Sequence, residues 1–134
     1  MLGEQIAELK GKVTNQRVLD IEGPSVETSL YASGSINRVQ VKVILTYVGK
    51  PTNTKGIFHG KGYAVVTTEG SEVATYTGEG IGRHDNSGKM SWRGSHFFST
   101  PSTGKLAFLN NMIGVFESVI DSEGNFTEKS WEWK

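Results

Sequence analysis

The sequence predicts an all-β protein, a closed or nearly closed antiparallel barrel of about eight strands. Three observations support this fold class. Apolar residues recur with a period of two through most of the chain, whereas helical periodicity is weak. Turn-forming residues divide the chain at short, regular intervals. Glycine makes up 17 of the 134 residues and is spread among β-branched and aromatic residues, as in sheets that bend and coil.

The first three predicted strands cover residues 5–21, 25–34 and 38–48. The turn signals Glu22-Gly23-Pro24, and Ser33-Gly34-Ser35 with Asn37, separate them. A helical turn fits only residues 4–9, ahead of Gly11. Alternation is clearest in the third strand, which predicts one face in a core. The apolar residues of that face are Val39, Val41, Val43, Leu45 and Tyr47.

The next three predicted strands cover residues 57–68, 72–84 and 89–99 and carry glycine at alternate positions. The glycines on this one face are Gly60, Gly62, Gly78, Gly80, Gly82 and Gly94. Aromatic residues share the face and charged residues occupy the opposite one, so we expect the glycine face to point inward, with Glu72 at its solvated end. Stacked glycines let a sheet coil tightly, which favours a barrel over a sandwich. Its interior is then either filled by the aromatic side chains or a cavity lined by them.

The last two predicted strands cover residues 105–120 and 126–133. Asn110 and Asn111 interrupt the apolar pattern of the first, which predicts a β-bulge. Bulges occur near binding sites, so Asn111 is a candidate ligand-binding residue. Trp131 and Trp133 share one face of the last strand, where we expect them to seal the barrel or a subunit interface.

Composition limits the classes of function. Residues 1–134 suit one domain. The chain has no cysteine, which excludes disulfides and thiolate chemistry and is compatible with the cytoplasm. Fourteen basic residues balance fourteen acidic ones, so we expect no nucleic-acid partner and no anionic membrane surface. Glu4 and Glu8 near the start, and the lack of a long apolar run, predict neither a signal peptide nor a membrane span.

Short glycine-rich motifs along the predicted strands resemble one group of barrels. The motifs are His59-Gly60-Lys61-Gly62, Gly78-Glu79-Gly80-Ile81-Gly82-Arg83, Trp92-Arg93-Gly94-Ser95, Ser102-Thr103-Gly104-Lys105-Leu106-Ala107 and Gly114-Val115-Phe116. From residue 24 onward the chain resembles the calycin-like barrels of the allene oxide cyclase and dirigent group, which includes small prokaryotic proteins of unknown function. The resemblance implies an oligomeric barrel whose interior binds small apolar molecules and, in the named enzymes, guides a cyclisation or coupling. No catalytic motif of either enzyme matches this chain, so the activity does not carry over.

The sequence contains no motif for a metal or cofactor. No HxH, HxxxH or HExxH spacing joins His59, His84 and His96, so we expect no metal site, and His84 is predicted to lie in a solvated turn. A nucleophile elbow, a phosphate loop and a dinucleotide fingerprint are also missing, which predicts that the protein uses no cofactor. Glu79 and Arg83 share an outer face about 13 Å apart, which predicts cross-strand contacts rather than a direct ion pair.

The candidate ligand-binding residues come from the predicted inner face, with Asn111 added from the bulge. They are Tyr47, Tyr76, Trp92, His96 and Phe98. Each also has a structural interpretation, as a core side chain whose polar group finds a partner inside the protein.

Three functions remain open from the sequence. The leading hypothesis is a barrel that binds a small, largely apolar molecule in its interior. The alternative is a cyclase or isomerase acting on a hydrophobic substrate, with His96 or Tyr76 as proton donor or acceptor. The third is a noncatalytic structural protein that forms a homo-oligomer.

Overall fold

The computed structural model of the protein describes residues 2–134. Its strands are β1 Leu2–Asp20, β2 Ser25–Ile36, β3 Val39–Pro51, β4 Ile57–Thr67, β5 Val73–His84, β6 Met90–Ser99, β7 Ile113–Ile120 and β8 Asn125–Trp133. Each strand pairs antiparallel with the next, and β8 pairs with β1, so the sheet closes into a barrel. The predicted all-β class and eight-stranded antiparallel barrel are confirmed. No helix among the described residues is long and apolar enough to cross a membrane.

β1 is a continuous strand that includes residues 4–9, where a helical turn also fitted the sequence. Ala7 and Leu9 pair with β2 on one side and with β8 on the other, and both side chains are buried in the core. Pairing on both sides satisfies the backbone groups of this segment, which outweighs its weak local helix propensity.

The β2–β3 hairpin turns later than the glycine pattern indicates. Ser33-Gly34-Ser35 lies inside β2, so the turn predicted there is wrong. A Cβ at Gly34 would lie 2.1 Å from the carbonyl oxygen of Glu8, so glycine allows the close approach of β1. The turn consists of Asn37 and Arg38, whose φ angles of 49° and 68° are typical of a two-residue hairpin loop.

The segment predicted as a strand over 105–120 forms two elements. A short 3₁₀ helix covers Ala107–Leu109, and only Ile113–Ile120 is a strand. The predicted bulge at Asn110 and Asn111 is therefore wrong. Asn111 instead lies in a turn with φ 61°, and its N–H donates a hydrogen bond to the carbonyl oxygen of Phe98 over 3.1 Å.

Residues 101–112 form a plug in the end of the barrel where β6 ends and β7 begins. Its buried apolar side chains are Leu106, Leu109 and Met112. Their spacing of three residues matches a 3₁₀ helix rather than a strand. Alternation with a period of two therefore predicts the wrong structure for this segment. The carboxylate of Glu72 accepts hydrogen bonds from the Ser102 hydroxyl and the Leu106 N–H, so it anchors the plug instead of facing only solvent.

Candidate ligand-binding cavity

A cavity of about 50 Å³ lies inside the barrel, beyond the plug. Its principal side chains are Tyr47, Tyr76, Trp92, His96, Phe116 and Glu128. The wall is therefore aromatic, with few polar groups. The volume is enough for a few water molecules, since one water needs about 10–15 Å³ by this measure, and a small organic molecule would also occupy part of a cleft that adjoins the cavity.

The inward glycines make room for aromatic rings. A Cβ at Gly60 would lie 2.7 Å from Cζ3 of Trp92, and a Cβ at Gly82 would lie 2.9 Å from the same ring. The indole thus lies flat on these two glycines, and Tyr47 packs edge-on against it with ring centroids 5.3 Å apart. The sequence left two alternatives for the interior, aromatic side chains that fill it or a cavity that they line. The structure combines them, because aromatic rings fill most of the interior and a small cavity remains.

His96 is held as a neutral ring between two aromatic side chains. Its centroid lies 4.1 Å from Tyr76 and 4.2 Å from Phe116, and the Phe116 ring is stacked within 9° of parallel. A Cβ at Gly78 would lie 2.8 Å from Cδ2 of His96, so this glycine also makes space for a ring. Burial lowers the pKa of His96 to about 3. The imidazole is therefore uncharged at neutral pH.

Glu128 is an inner polar residue that the sequence reasoning missed. Its side chain is 4% exposed, and it pairs with Ser118 on β7 and Leu9 on β1. Burial raises the pKa of Glu128 to about 8, so the carboxyl carries its proton at neutral pH. Within residues 2–134 it makes neither a hydrogen bond nor an ion pair. The sequence contained a signal for this position. Glu128 lies two residues after the apolar Phe126 on the same strand, so both side chains share the inner face.

Two further polar groups are buried without a hydrogen bond of good geometry in the described part of the chain, the Tyr76 hydroxyl and the Trp92 indole N–H. Burial raises the pKa of Tyr47, and an interaction of its hydroxyl with the Trp92 indole acts against that rise. Burial raises the pKa of Tyr76, and the nearby Glu128 raises it further. An unpaired buried donor costs about 1–3 kcal/mol. A hydrogen-bond acceptor placed in the cavity would offset that cost.

A larger cleft of about 320 Å³ adjoins the cavity and shares Tyr47 and Ile120 with it. Its wall includes Gln16 on β1 and the exposed His84, the last residue of β5. The cleft lies at the end of the barrel opposite the plug. It marks the side from which a small molecule would reach the cavity.

The structure separates the six predicted ligand-binding residues into two groups. Tyr47, Tyr76, Trp92 and His96 line the cavity. Phe98 packs against Tyr76 with ring centroids 5.1 Å apart, but it belongs to the core on the plug side. Asn111 is an exposed residue of the plug and does not line the cavity, because its segment is a turn rather than an inward-facing bulge.

Outside the cavity, charged groups lie on the outer surface. Glu79 contacts His59 across β4 and β5, with Oε2 and Nε2 2.6 Å apart, a cross-strand contact of the kind predicted for Glu79. In the described chain no group of three His, Cys, Asp or Glu side chains could hold a metal ion. Trp131 and Trp133 lie on the opposite face of β8 from Glu128, so they do not fill the interior.

Comparison with solved structures places the same barrel in two bacterial proteins. A protein with unknown function from Clostridium acetobutylicum ATCC 824 is 16% identical with a TM-score of 0.79, and the match covers 98% of each chain. A conserved protein of unknown function from Rhodopseudomonas palustris is 9% identical with a TM-score of 0.78, over 99% of each chain. No family model and no curated protein matches the sequence. At these identities the likeness shows the fold alone.

Proposed function

We propose that the protein binds a small, largely apolar molecule in the cavity inside the barrel. The observation that carries this proposal is an aromatic cavity that retains two polar groups without a hydrogen bond of good geometry, the Tyr76 hydroxyl and the Trp92 N–H, beside the buried Glu128 carboxyl. A site with apolar walls and a few oriented polar groups is the usual form of a small-molecule pocket. A core built only for stability would gain from apolar residues at these positions.

We further propose that the barrel is of the calycin-like type found in allene oxide cyclase and dirigent proteins. Gly60 of β4 and Gly78 and Gly82 of β5, which belong to the quoted motifs, lie on the inner face under Trp92 and His96, which supports this assignment. For the alternative of a cyclase or isomerase, His96 is a poor proton donor because its imidazole is neutral. Tyr76 and the protonated Glu128 remain as groups able to donate a proton. A cytoplasmic location stays a prediction.

Native mass spectrometry of the protein purified from its own host, beside a denatured sample, tests the binding proposal. We expect an excess mass that is lost on denaturation. As a defined probe, cyclopentane added to the purified protein should shift the indole N–H signal of Trp92 in proton–nitrogen NMR spectra.

Two matched substitutions control this experiment. Ser118→Leu fills the cavity and should abolish the response to cyclopentane, whereas Ser33→Leu places the same side chain on the outer face and should preserve it. A wild-type protein with no bound molecule and no response to cyclopentane would overturn the proposed function.

A second candidate function is assembly into a homo-oligomer. An outer apolar band crosses β2 to β7, and its members are Tyr31, Ile44, Tyr63, Val65, Phe97 and Ile113. Cross-strand pairing places Ile44 directly between Tyr31 and Val65, and Phe97 beside Ile113. Thr77 of β5 lies between these two apolar parts of the band. A second copy of this chain is the occupant we favour, because zero formal net charge gives two copies no mutual repulsion.

A further inference from the structure

No ion pair among the described residues involves the Glu128 carboxyl. Lys10 and Lys129 share a cleft wall with Glu128, but both side chains are exposed on the outer faces of β1 and β8. The neighbours of Glu128 across the sheet, Ser118 and Leu9, are uncharged. Tyr76 on β5 and His96 on β6 are the titratable groups that line the cavity with it, together with Tyr47 on β3. An ionised carboxylate buried without a partner is strongly disfavoured, so the acid form is the stable one at neutral pH.

Other charged residues near the cavity face away from it. Lys61 and Glu79 contribute to its wall, but both are exposed on the outer surface, and Glu79 pairs with His59 there. The interior therefore holds a protonated carboxyl, phenol hydroxyls and a neutral imidazole, with no net charge.

The unpaired groups in this cavity are mostly hydrogen-bond donors. The indole N–H of Trp92 can only donate, the Tyr76 hydroxyl has no acceptor, and the protonated Glu128 also presents an O–H. A carboxyl kept neutral by an apolar site is a strong donor to an oxygen atom, and a tyrosine beside it adds a second donor. Acceptor atoms are present in the tyrosine hydroxyls, the carboxyl and the neutral imidazole, but none of them forms a hydrogen bond of good geometry with the Trp92 N–H or with the Tyr76 hydroxyl.

We propose that Glu128 and Tyr76 recognise the carbonyl oxygen of a neutral molecule, which makes small aldehydes, ketones, esters or amides the ligand class of this cavity. This inference rests on the proposed binding function and specifies its chemistry. A carboxylate ligand would enter an interior without a cation, at a large desolvation cost. A protonated amine would bring only donors and leave Trp92 and Tyr76 without an acceptor.

Four probes of matched size test the inference: cyclopentanone, cyclopentane, cyclopentylamine and cyclopentanecarboxylate. Binding is measured by NMR titration at about pH 6 and about pH 10, on either side of the Glu128 transition. At the lower pH we expect cyclopentanone to bind about tenfold more tightly than cyclopentane, as one net hydrogen bond would give. At the higher pH that advantage should disappear, while the affinity for cyclopentane changes little.

Two variants separate recognition by Glu128 from a structural role. Glu128→Gln keeps an N–H donor of the same length and should retain the preference for the ketone without its pH dependence. Glu128→Leu should remove the preference and keep cyclopentane binding. The wild-type pH profile needs no variant, so the test holds even where a substitution impairs folding.

Each contrary result has a distinct meaning. Equal affinity for cyclopentanone and cyclopentane would overturn the inference and leave the binding function intact. Tighter binding of cyclopentylamine or of the carboxylate would also overturn it, in favour of a charged ligand. If none of the four probes binds, the proposed function itself fails.

Discussion

At the scale of single residues, the interior holds two ionisable side chains whose pKa values burial moves in opposite directions. Burial disfavours the charged form of each, so the pKa of Glu128 rises from 4.5 to about 8 and that of His96 falls from 6.5 to about 3. Both side chains are therefore uncharged in the folded protein at neutral pH. In the unfolded chain Glu128 is ionised at the same pH, and this difference couples stability to pH.

The free energy of unfolding should be nearly constant between pH 4.5 and 6.5 and should fall above that range. From 4.5 to 6.5, folding takes up a proton at Glu128 and releases one at His96, so the two slopes cancel. From 6.5 to about 8 only Glu128 differs between the two states, and stability should decrease by about 1.4 kcal/mol per pH unit. Urea unfolding at a series of pH values measures this profile.

Glu128→Gln is the control for the pH profile. It should remove the decrease above pH 6.5 and expose the His96 contribution, a rise in stability from pH 4.5 to 6.5. An alkaline decrease that persists in Glu128→Gln would show that another group causes it.

At the scale of strands, the inward glycines of β4 and β5 set the position of the Trp92 ring. Gly60→Ala would place a Cβ 2.7 Å from that ring, closer than van der Waals contact allows. Alanine is the better strand residue, yet overpacking costs about 1–3 kcal/mol, so the clash should dominate. We expect lower stability in urea unfolding, a shifted Trp92 indole signal and weaker cyclopentane binding.

Gly70→Ala is the matched control for this substitution. Gly70 is exposed in the β4–β5 turn, and a Cβ there would meet only Oγ1 of Thr68 at 3.8 Å. Its stability should stay within about 0.5 kcal/mol of the wild type. Equal effects of the two substitutions would show that the Trp92 contact does not constrain β4.

The plug shows where local pattern and tertiary packing diverge. A strand needs a partner on its own edge, whereas residues 101–112 turn inward and bury their leucines across the end of the barrel. The anchor is the carboxylate of Glu72, which directly precedes β5 and binds the Ser102 hydroxyl and the Leu106 N–H. Residues 105–120 by themselves do not indicate this anchor, because Glu72 lies more than thirty residues earlier in the chain. Their apolar run therefore predicts a strand.

At the scale of the whole molecule, closure of the barrel gives each strand a hydrogen-bonded neighbour on both sides. Two copies of the protein would therefore associate through side chains rather than through strand edges. We expect the protein to self-associate through the outer apolar band, in which Ile44 is 60% exposed. Sedimentation velocity over a range of concentrations measures this. Ile44→Lys should shift the equilibrium towards monomer, because it buries a charge in the interface.

Ile21→Lys is the matched control for self-association, since Ile21 is 85% exposed in the β1–β2 turn and lies outside the band. It should sediment as the wild type does. Monomer at all concentrations in the wild type would contradict a homo-oligomer, and equal effects of both lysines would place the interface elsewhere.

The sequence by itself determined the all-β class, the number of strands and the inner face of the barrel. These follow from period-two alternation and turn residues, which are local properties of the chain. The same alternation identified Tyr47, Tyr76, Trp92 and His96, because large aromatic residues beside inward glycines have few other places to go.

Only the tertiary structure decided which residues complete the cavity and what charge they carry. Glu128 was overlooked because a glutamate on a strand is normally solvated, and its burial depends on Ser118 and Leu9 from two other strands. Phe116 was overlooked because its segment continues from the misread plug. A pKa depends on the three-dimensional surroundings of a group, so the neutral interior that these residues form is a property of the closed barrel and not of any one strand.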